Sequence, residues 1–250
     1  MKTPTKKNIP AKSVFITGAT SGIGSQIALF YAKEGWNIIC HYYSSDAQAK
    51  ALKKQITKYG VKCLLLKADF VSPGDIQRLI RKLKSLKIDS LVNNAGSYLV
   101  SKHFSLLTMA DIEKTFRLNS IVPMLITSAV FMRMQANKFG RIVNISSIAA
   151  KYGGSSHSMH YGASKLALEG LMKTLARNGA ANNILINTVR PGVIDTRFHK
   201  RFPKDMAKRI GLIPMKRMGR PEEVAELVYY LGSPRNSFIT NEIIAISGGE

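Results

Sequence analysis

The chain is short of acid. It carries 15 aspartate and glutamate residues against 37 lysine and arginine, a formal net charge of +22. Such a surface repels cationic ligands and attracts anions: nucleic acid, anionic lipid, an acidic carrier protein or a phosphorylated substrate. A merely solvated basic face is the competing reading and weighs equally. Cysteine is scarce as well. Cys40 and Cys63 are the whole complement, too few for a disulfide scaffold, and both sit in apolar runs, so free buried thiols in a reducing, cytoplasmic setting are expected. Long apolar runs are missing too. The most apolar stretch, residues 121–132, holds Pro123, Thr127 and Ser128 and falls short of the ~20 residues that span a bilayer. Residues 1–11 are basic and polar without the apolar centre of a signal peptide, and read as a flexible arm before a single domain at 12–250. His157 and His160 lack a convergent Cys, Asp or Glu set, so no metal site is expected.

What remains is ordinary globular composition: 250 residues, 45% hydrophobic, enough for a substantial core. Apolar strand-like runs at 12–17, 36–42, 61–68, 88–93, 141–146, 184–190 and 238–246 alternate with helical spacing. Helices are expected at 22–34, 44–59, 73–86, within 108–135, and at 161–178 and 221–231. Ser44 or Ser45 is a plausible cap for the second helix, and Thr108 with Asp111 resembles a capping box. Strict alternation implies an α/β fold: a doubly wound, Rossmann-type parallel sheet with helices on both faces. Ligands of such sheets lie beyond the carboxyl ends of the strands.

Chemistry-bearing motifs sit at those ends. Thr17-Gly18-Ala19-Thr20-Ser21-Gly22-Ile23-Gly24 joins the first strand to the first helix. There glycine permits a sharp turn, and the helix start offers free N–H groups to a pyrophosphate. Its glycine spacing departs from the usual dinucleotide fingerprint, with three residues between the first two glycines. Asn93-Asn94-Ala95-Gly96 ends the fourth strand, Tyr161-Gly162-Ala163-Ser164-Lys165 opens a helix, and Arg190-Pro191-Gly192 follows the sixth strand.

Together, and in this order, these motifs resemble the short-chain dehydrogenase/reductase family from about residue 12 to 249. The resemblance implies Gly18, Ser21 and Ile23 at the pyrophosphate, Asp69 by the adenine, and Asn94, Ala95 and Gly96 by the adenine ribose. It also implies Pro191, Gly192, Ile194 and Thr196 at the nicotinamide. NAD-preferring members keep an aspartate where this chain has Tyr42. Its absence removes repulsion against a 2′-phosphate, to which Ser44 or Ser45 could donate. NADP(H) is therefore favoured, with NAD(H) left open.

Tyr161 and Lys165, four apart on a helix, share a face. A free phenol titrates near 10, too high for ready proton exchange at neutral pH. The expectation is that the ammonium, joined by an oxidised nicotinamide, stabilises the phenolate and lowers that value. Tyr161 would then give its proton to a ketone oxygen, and Lys165 would also hold the nicotinamide ribose. By the same resemblance Ser147 holds the substrate oxygen, with Ser146 as competitor, although the step from Ser147 to Tyr161 is about one residue longer than in close relatives. Asn119 corresponds to the residue that holds a relay water; the plainer reading is a polar residue that bends its helix.

Within the family the resemblance is strongest to 3-oxoacyl-[acyl-carrier-protein] reductases, through the run from Met218 to Ala225, the ending Ser247-Gly248-Gly249, and Tyr42. It implies an acyl-thioester or other small substrate, an acidic acyl carrier protein as partner, and a homotetramer built through the two long central helices. Arg197, Lys200, Arg201, Lys204, Lys208 and Arg209 read as a basic lid suited to an anion. Of two basic carrier-docking positions expected beside the site, one is Lys138 but the other is Asn182, and the helix end 176–179 lacks its usual carboxylate. Sugars and secondary alcohols stay open as substrates. A basic nucleic-acid-binding or regulatory protein on the same fold is the alternative of another class; the complete set of Ser147, Tyr161, Lys165 and Asn119 argues against it.

Overall fold

The computed structural model describes residues 11–20, 22–198 and 205–250. The expected basic arm therefore lies outside the described residues, apart from Ala11. So do Ser21 and the middle of the expected lid, Lys200, Arg201 and Lys204.

Seven parallel strands form one sheet in the order β3-β2-β1-β4-β5-β6-β7. They are β1 Ser13–Ile16, β2 Asn37–Tyr42, β3 Cys63–Lys67, β4 Ser90–Asn93, β5 Gly140–Ile145, β6 Ile184–Pro191 and β7 Ile243–Ile246. The helices are α1 Gly22–Lys33, α2 Asp46–Thr57, α3 Pro73–Ser85, α4 Met109–Phe116, α5 Val122–Ala136, α6 Ala149–Tyr152, α7 Met159–Ala180, α8 Met206–Gly211 and α9 Pro221–Leu231. The chain winds outward from β1 to β3, returns to β4, and winds the other way. That reversal opens a crevice at the carboxyl ends of β1 and β4.

The central strands are apolar on both faces because helices cover both. Val14 and Ile16 face α1 and α9 together with Ile27, Tyr31, Val224 and Val228. Phe15 faces the other way, into a core with Leu91, Ile126, Met134, Ile142 and Leu168. Cys40 and Cys63 are buried free thiols on the neighbouring strands β2 and β3.

Several boundaries moved, for local reasons. Ser45, not Ser44, caps α2 by accepting from Gln48 N. Thr108 and Asp111 form the full capping box of α4. The single long helix expected within 108–135 is interrupted by a π-helical turn, Arg117–Ile121, between α4 and α5. The last strand begins five residues late, because Asn187 and Asn236 tie residues 239–242 into a turn that leaves Phe238 94% exposed. The short helices α6 and α8 were too brief for a periodic signal.

Candidate active site

The glycine-rich turn is built on close approach. Gly18 and Gly22 have φ of +63° and +53°, where side chains are strained. A Cβ on Gly18 would stand 3.0 Å from Ala95 Cα, and one on Gly24 would overlap the Gly18 carbonyl and Asn94 Nδ2. Polar braces fix the gap. Thr17 Oγ1 accepts from the Asn94 and Ala95 N–H groups, both at 2.9 Å. Asn94 Nδ2 donates to the Thr17 and Gly18 carbonyls, so its amide group serves the turn. Gly18 N–H donates to His41 Nδ1 at 3.1 Å. Nε2 must then carry the ring proton, which it gives to the Ala68 carbonyl at 3.1 Å. The ring stacks on Phe70 with centroids 4.0 Å apart, and burial lowers its pKa to about 4. A dinucleotide pyrophosphate fits here: α1 opens with unpaired N–H groups behind a turn with no room for side chains. Ile23 sits half-buried in the first turn of α1.

A carboxylate lies beside the Tyr42 side chain. Parallel register pairs Tyr42 with Lys67, and Asp46, at the start of α2, bridges them. Tyr42 donates to Asp46 Oδ1 at 2.7 Å and Lys67 Nζ to Oδ2 at 2.9 Å. Both carboxylate oxygens are therefore engaged. Ser44 is exposed, while the Ser45 side chain is committed to its cap. Asp69 Oδ1 accepts from Val71 N, which shapes the turn after β3.

At the other side of the crevice, Tyr161 and Lys165 lie in the first two turns of α7, with Lys165 only 2% exposed. Lys165 Nζ donates to the Ile145 carbonyl at 2.7 Å and stands 5.9 Å from the centre of the Tyr161 ring. Burial lowers the Lys165 pKa to about 8, partly offset by Glu169. Burial pushes the Tyr161 phenol up to about 12, and the opposing influence is a hydrogen bond with Ser147. Burial therefore favours the neutral phenol here, whereas the expected lowering belongs to the complex with an oxidised nicotinamide.

Ser147 and Ser146 separate cleanly. The Ser147 side chain meets the Tyr161 phenol, whereas Ser146 Oγ is buried and donates to Glu169 Oε1 at 2.6 Å. Asn119 is fully buried in the π turn. Its Nδ2 donates to the Ser97 carbonyl and Ser164 Oγ, and its Oδ1 accepts from Ser97 N. Asn119 thus sits where the helix departs from α geometry, in keeping with the reading of a polar residue that bends its helix. Gly96 is wedged beside it: a Cβ there would lie 2.7 Å from Lys165 Nζ and 2.9 Å from Asn119 Oδ1.

Pro191 ends β6 and Ile194 follows it, both buried, and Gly192 packs so closely on Ser247 that a Cβ would meet its Cα at 2.8 Å. Thr196 leans on the start of α1, with Cγ2 3.3 Å from where a Gly22 Cβ would stand. The segment after β6 thus covers the glycine turn. Tyr98 packs edge-on against Tyr161 and Phe198, with centroids 5.6 and 5.4 Å away, and His160 Nε2 donates to its carbonyl. This gives the site an aromatic wall that no motif announced. Among the described residues no cluster of three His, Cys, Asp or Glu is placed to hold a metal.

Two expectations about partners are corrected by topology. Lys138 lies in the turn before β5 and Asn182 in the turn before β6, so within one chain both are at the amino end of the sheet, opposite the site. Arg209 pairs with Glu250 at 2.5 Å and is not a free lid cation.

The family model described as enoyl-(acyl carrier protein) reductase matches residues 18–250. The chain belongs to the short-chain dehydrogenase/reductase family. It is an oxidoreductase acting on the CH–OH/C=O couple with NAD(P). It is 35% identical over 96% of its length to the 3-oxoacyl-[acyl-carrier-protein] reductase FabG of Aquifex aeolicus, covering 98% of that protein. Against the protein of the same name from Thermotoga maritima it is 32% identical, covering 96% and 98%. A solved 3-oxoacyl (acyl-carrier-protein) reductase from Agrobacterium tumefaciens C58 with NADP bound superposes with a TM-score of 0.87 at 29% identity, covering 96% of this chain and 94% of that one. A blue fluorescent protein from a metagenomic library, in complex with NADPH, gives 0.87 at 30% identity, covering 97% and 99%.

Sequence reasoning missed Thr17, His41, Asp46, Lys67, Tyr98 and Glu169 as parts of this site. Thr17 was in view as part of a motif. The others lie in strands, loops or helices, where only register or packing brings them in.

Proposed function

We propose that residues 12–250 form one catalytic domain that reduces the ketone of a 3-oxoacyl thioester with NADP(H). The observation that carries this is the half-buried Tyr161, its phenol hydrogen-bonded with Ser147, one helical turn from the buried Lys165. When bound, the nicotinamide supplies hydride to the carbonyl carbon. Ser147 orients the carbonyl oxygen, and Tyr161, neutral at physiological pH, gives that oxygen its proton. Lys165 holds the ribose, and its ammonium favours the phenolate left behind. Asn119 fixes Ser97 on one side and Ser164 on the other, and so sets the path by which Tyr161 is reprotonated. Gly18, Ser21 and Ile23 hold the pyrophosphate. Asp69 and the segment from Asn94 to Gly96 hold the adenosine, and Pro191, Gly192, Ile194 and Thr196 the nicotinamide.

The names of the relatives support the acyl-thioester reading, and NADP or NADPH in two of the solved neighbours supports the phosphorylated cofactor. Tyr42 and Ser44 border the 2′-phosphate in this reading, while the engaged Asp46 leaves room for it. The deciding assay is loss of reduced-cofactor absorbance with acetoacetyl and longer 3-oxoacyl thioesters, sugars and simple ketones, using NADPH and NADH in parallel. Turnover of thioesters with a preference for NADPH is expected. Turnover confined to sugars or simple ketones refutes the substrate, and equal use of NADH refutes the cofactor preference.

Assembly belongs to the same reading. Met109, Ile112, Ile121, Met124, Leu125 and Met132 are exposed along α4, the π turn and α5. That apolar face suits a second copy of the chain and a homotetramer, which light scattering on the purified protein tests. A cytoplasmic setting belongs to the same reading and is supported by the buried free thiols Cys40 and Cys63.

One observation favours an added role for the charge. Lys50, Lys53, Lys54, Arg78, Arg81 and Lys82 are exposed on α2 and α3, which flank the edge strand β3. The two basic helices lie on opposite faces of the sheet at its β3 edge. Salt-sensitive duplex DNA binding would make that edge a nucleic-acid site, and its absence leaves a solvated surface.

A further inference from the structure

One charge pair behind the site, a buried carboxylate and a partly exposed guanidinium, has no part in the chemistry above. Glu169 follows Lys165 by one turn of α7, on the same face. Its carboxylate takes Arg190 with both prongs: Nε to Oε1 at 2.7 Å and Nη2 to Oε2 at 2.5 Å. Oε1 also accepts from Ser146 Oγ at 2.6 Å. Glu169 is 3% exposed.

Each partner adjoins a site residue. Ser146 precedes Ser147 at the exit of β5, and Arg190 precedes Pro191 on β6. The helix bearing Tyr161 and Lys165, the strand end bearing Ser147, and the strand end leading to the nicotinamide segment thus converge on one carboxylate. Packing alone does not account for it. A buried ion pair gives little net stability, and apolar residues of similar volume often hold helix to sheet as well or better.

We propose that Glu169, paired with Arg190, is a positioning residue for the reaction: it locks these three segments in register and keeps a balanced charge behind the Lys165 ammonium. The inference rests on Tyr161 and Lys165 being the proton-handling pair. Among the described residues the other charged groups facing Glu169 are of opposite sign to each other. On α7, Lys173 lines a small crevice with Glu169, and Glu242 lines it from the segment before β7. β5 and the π turn bring only the neutral Ser146, Asn119 and Ser120 toward α7.

The test is the pH dependence of kcat/KM for reduction, whose alkaline limb follows loss of the Lys165 proton near pH 8. Glu169→Gln leaves Arg190 unbalanced and should move that limb down by about one pH unit; Arg190→Met leaves the carboxylate unbalanced and should move it up by about as much. The double variant should return the limb to the parent value with kcat still lowered by loss of the clamp. Limbs that stay put, or that move the same way in both single variants, overturn the proposal.

If a single variant does not fold, Arg190→Lys and the double variant decide, because neither leaves a lone buried charge. Arg190→Lys keeps the charge but loses the fork, so a lower kcat at an unchanged limb is expected, and a displaced limb is contrary. Tyr161→Phe is run alongside. If it turns over like the parent, the catalytic reading itself falls. If it is dead while the Glu169 and Arg190 variants move nothing, only this inference falls.

Discussion

The two ends of the crevice are held together by different means. At the cofactor end, neutral groups brace backbone against backbone: Thr17, Asn94 and His41 tie the glycine turn to the ends of β2, β3 and β4. At the catalytic end, buried charge does the holding, through Lys165 on the Ile145 carbonyl and Glu169 on Arg190. The first region tolerates no added volume. The second tolerates no unbalanced charge. In the proposed function the first admits a large anion closely, while the second holds one proton at a chosen place.

The largest expected effect separates chemistry from binding. Tyr161→Phe should lower kcat by about a hundred- to ten-thousand-fold with cofactor affinity nearly intact, as steady-state kinetics and cofactor titration would show. A comparable loss of cofactor binding would mean that the two ends are not separable.

Next comes His41, whose pKa is near 4 in the fold and about 6.5 when unfolded. Between those values the unfolded chain binds a proton that the native chain does not, so stability rises with pH across that window and is lost as pH falls through it. The full loss amounts to about 3 kcal/mol. Protonation would also set Nδ1–H against the Gly18 N–H. Urea unfolding at pH 6.5 and 5 should show this slope in the parent and a weaker one in His41→Asn; equal slopes would remove His41 from the brace.

Gly24→Ala tests volume at the same end. Overpacking of about 1–3 kcal/mol predicts a cofactor Kd raised about five- to a hundredfold, with the alkaline limb of the rate profile unmoved. A displaced limb would show that the cofactor end also governs charge. The smallest effect is Ser45→Ala, which removes the α2 cap at a cost of about 1 kcal/mol of stability. If Ser45 serves only as a cap, the ratio of NADPH to NADH efficiency stays fixed, and a fall in that ratio assigns it to the 2′-phosphate.

Much of the site was legible in advance because it is local. Gly18, Gly22 and Gly24 share one turn, and Tyr161 and Lys165 share one helix face, so spacing alone groups them. Asn119 was legible as a position, but its π turn was not, since the apolar period runs on through it. Asp46 illustrates the limit. Reading Tyr42 as the missing carboxylate position was sound along the strand, but the contact of Asp46 with the Tyr42 phenol lies on helix α2 and was not visible there. Ser146 and Ser147 could not be ranked by spacing. Packing ranks them, by sending one hydroxyl to Glu169 and the other to Tyr161.

The sequence by itself determined the alternation of strands and helices, the parallel doubly wound sheet, and the end of the sheet where chemistry sits. Each follows from periodicity and turn residues, which act over a few neighbours. Tertiary structure alone decided which charges are buried together. Glu169 meets Arg190 across 21 residues, and Lys67 meets Asp46 through strand register. It also decided the protonation of the Tyr161 and Lys165 pair, because desolvation depends on everything packed around a group and on nothing in its own short motif.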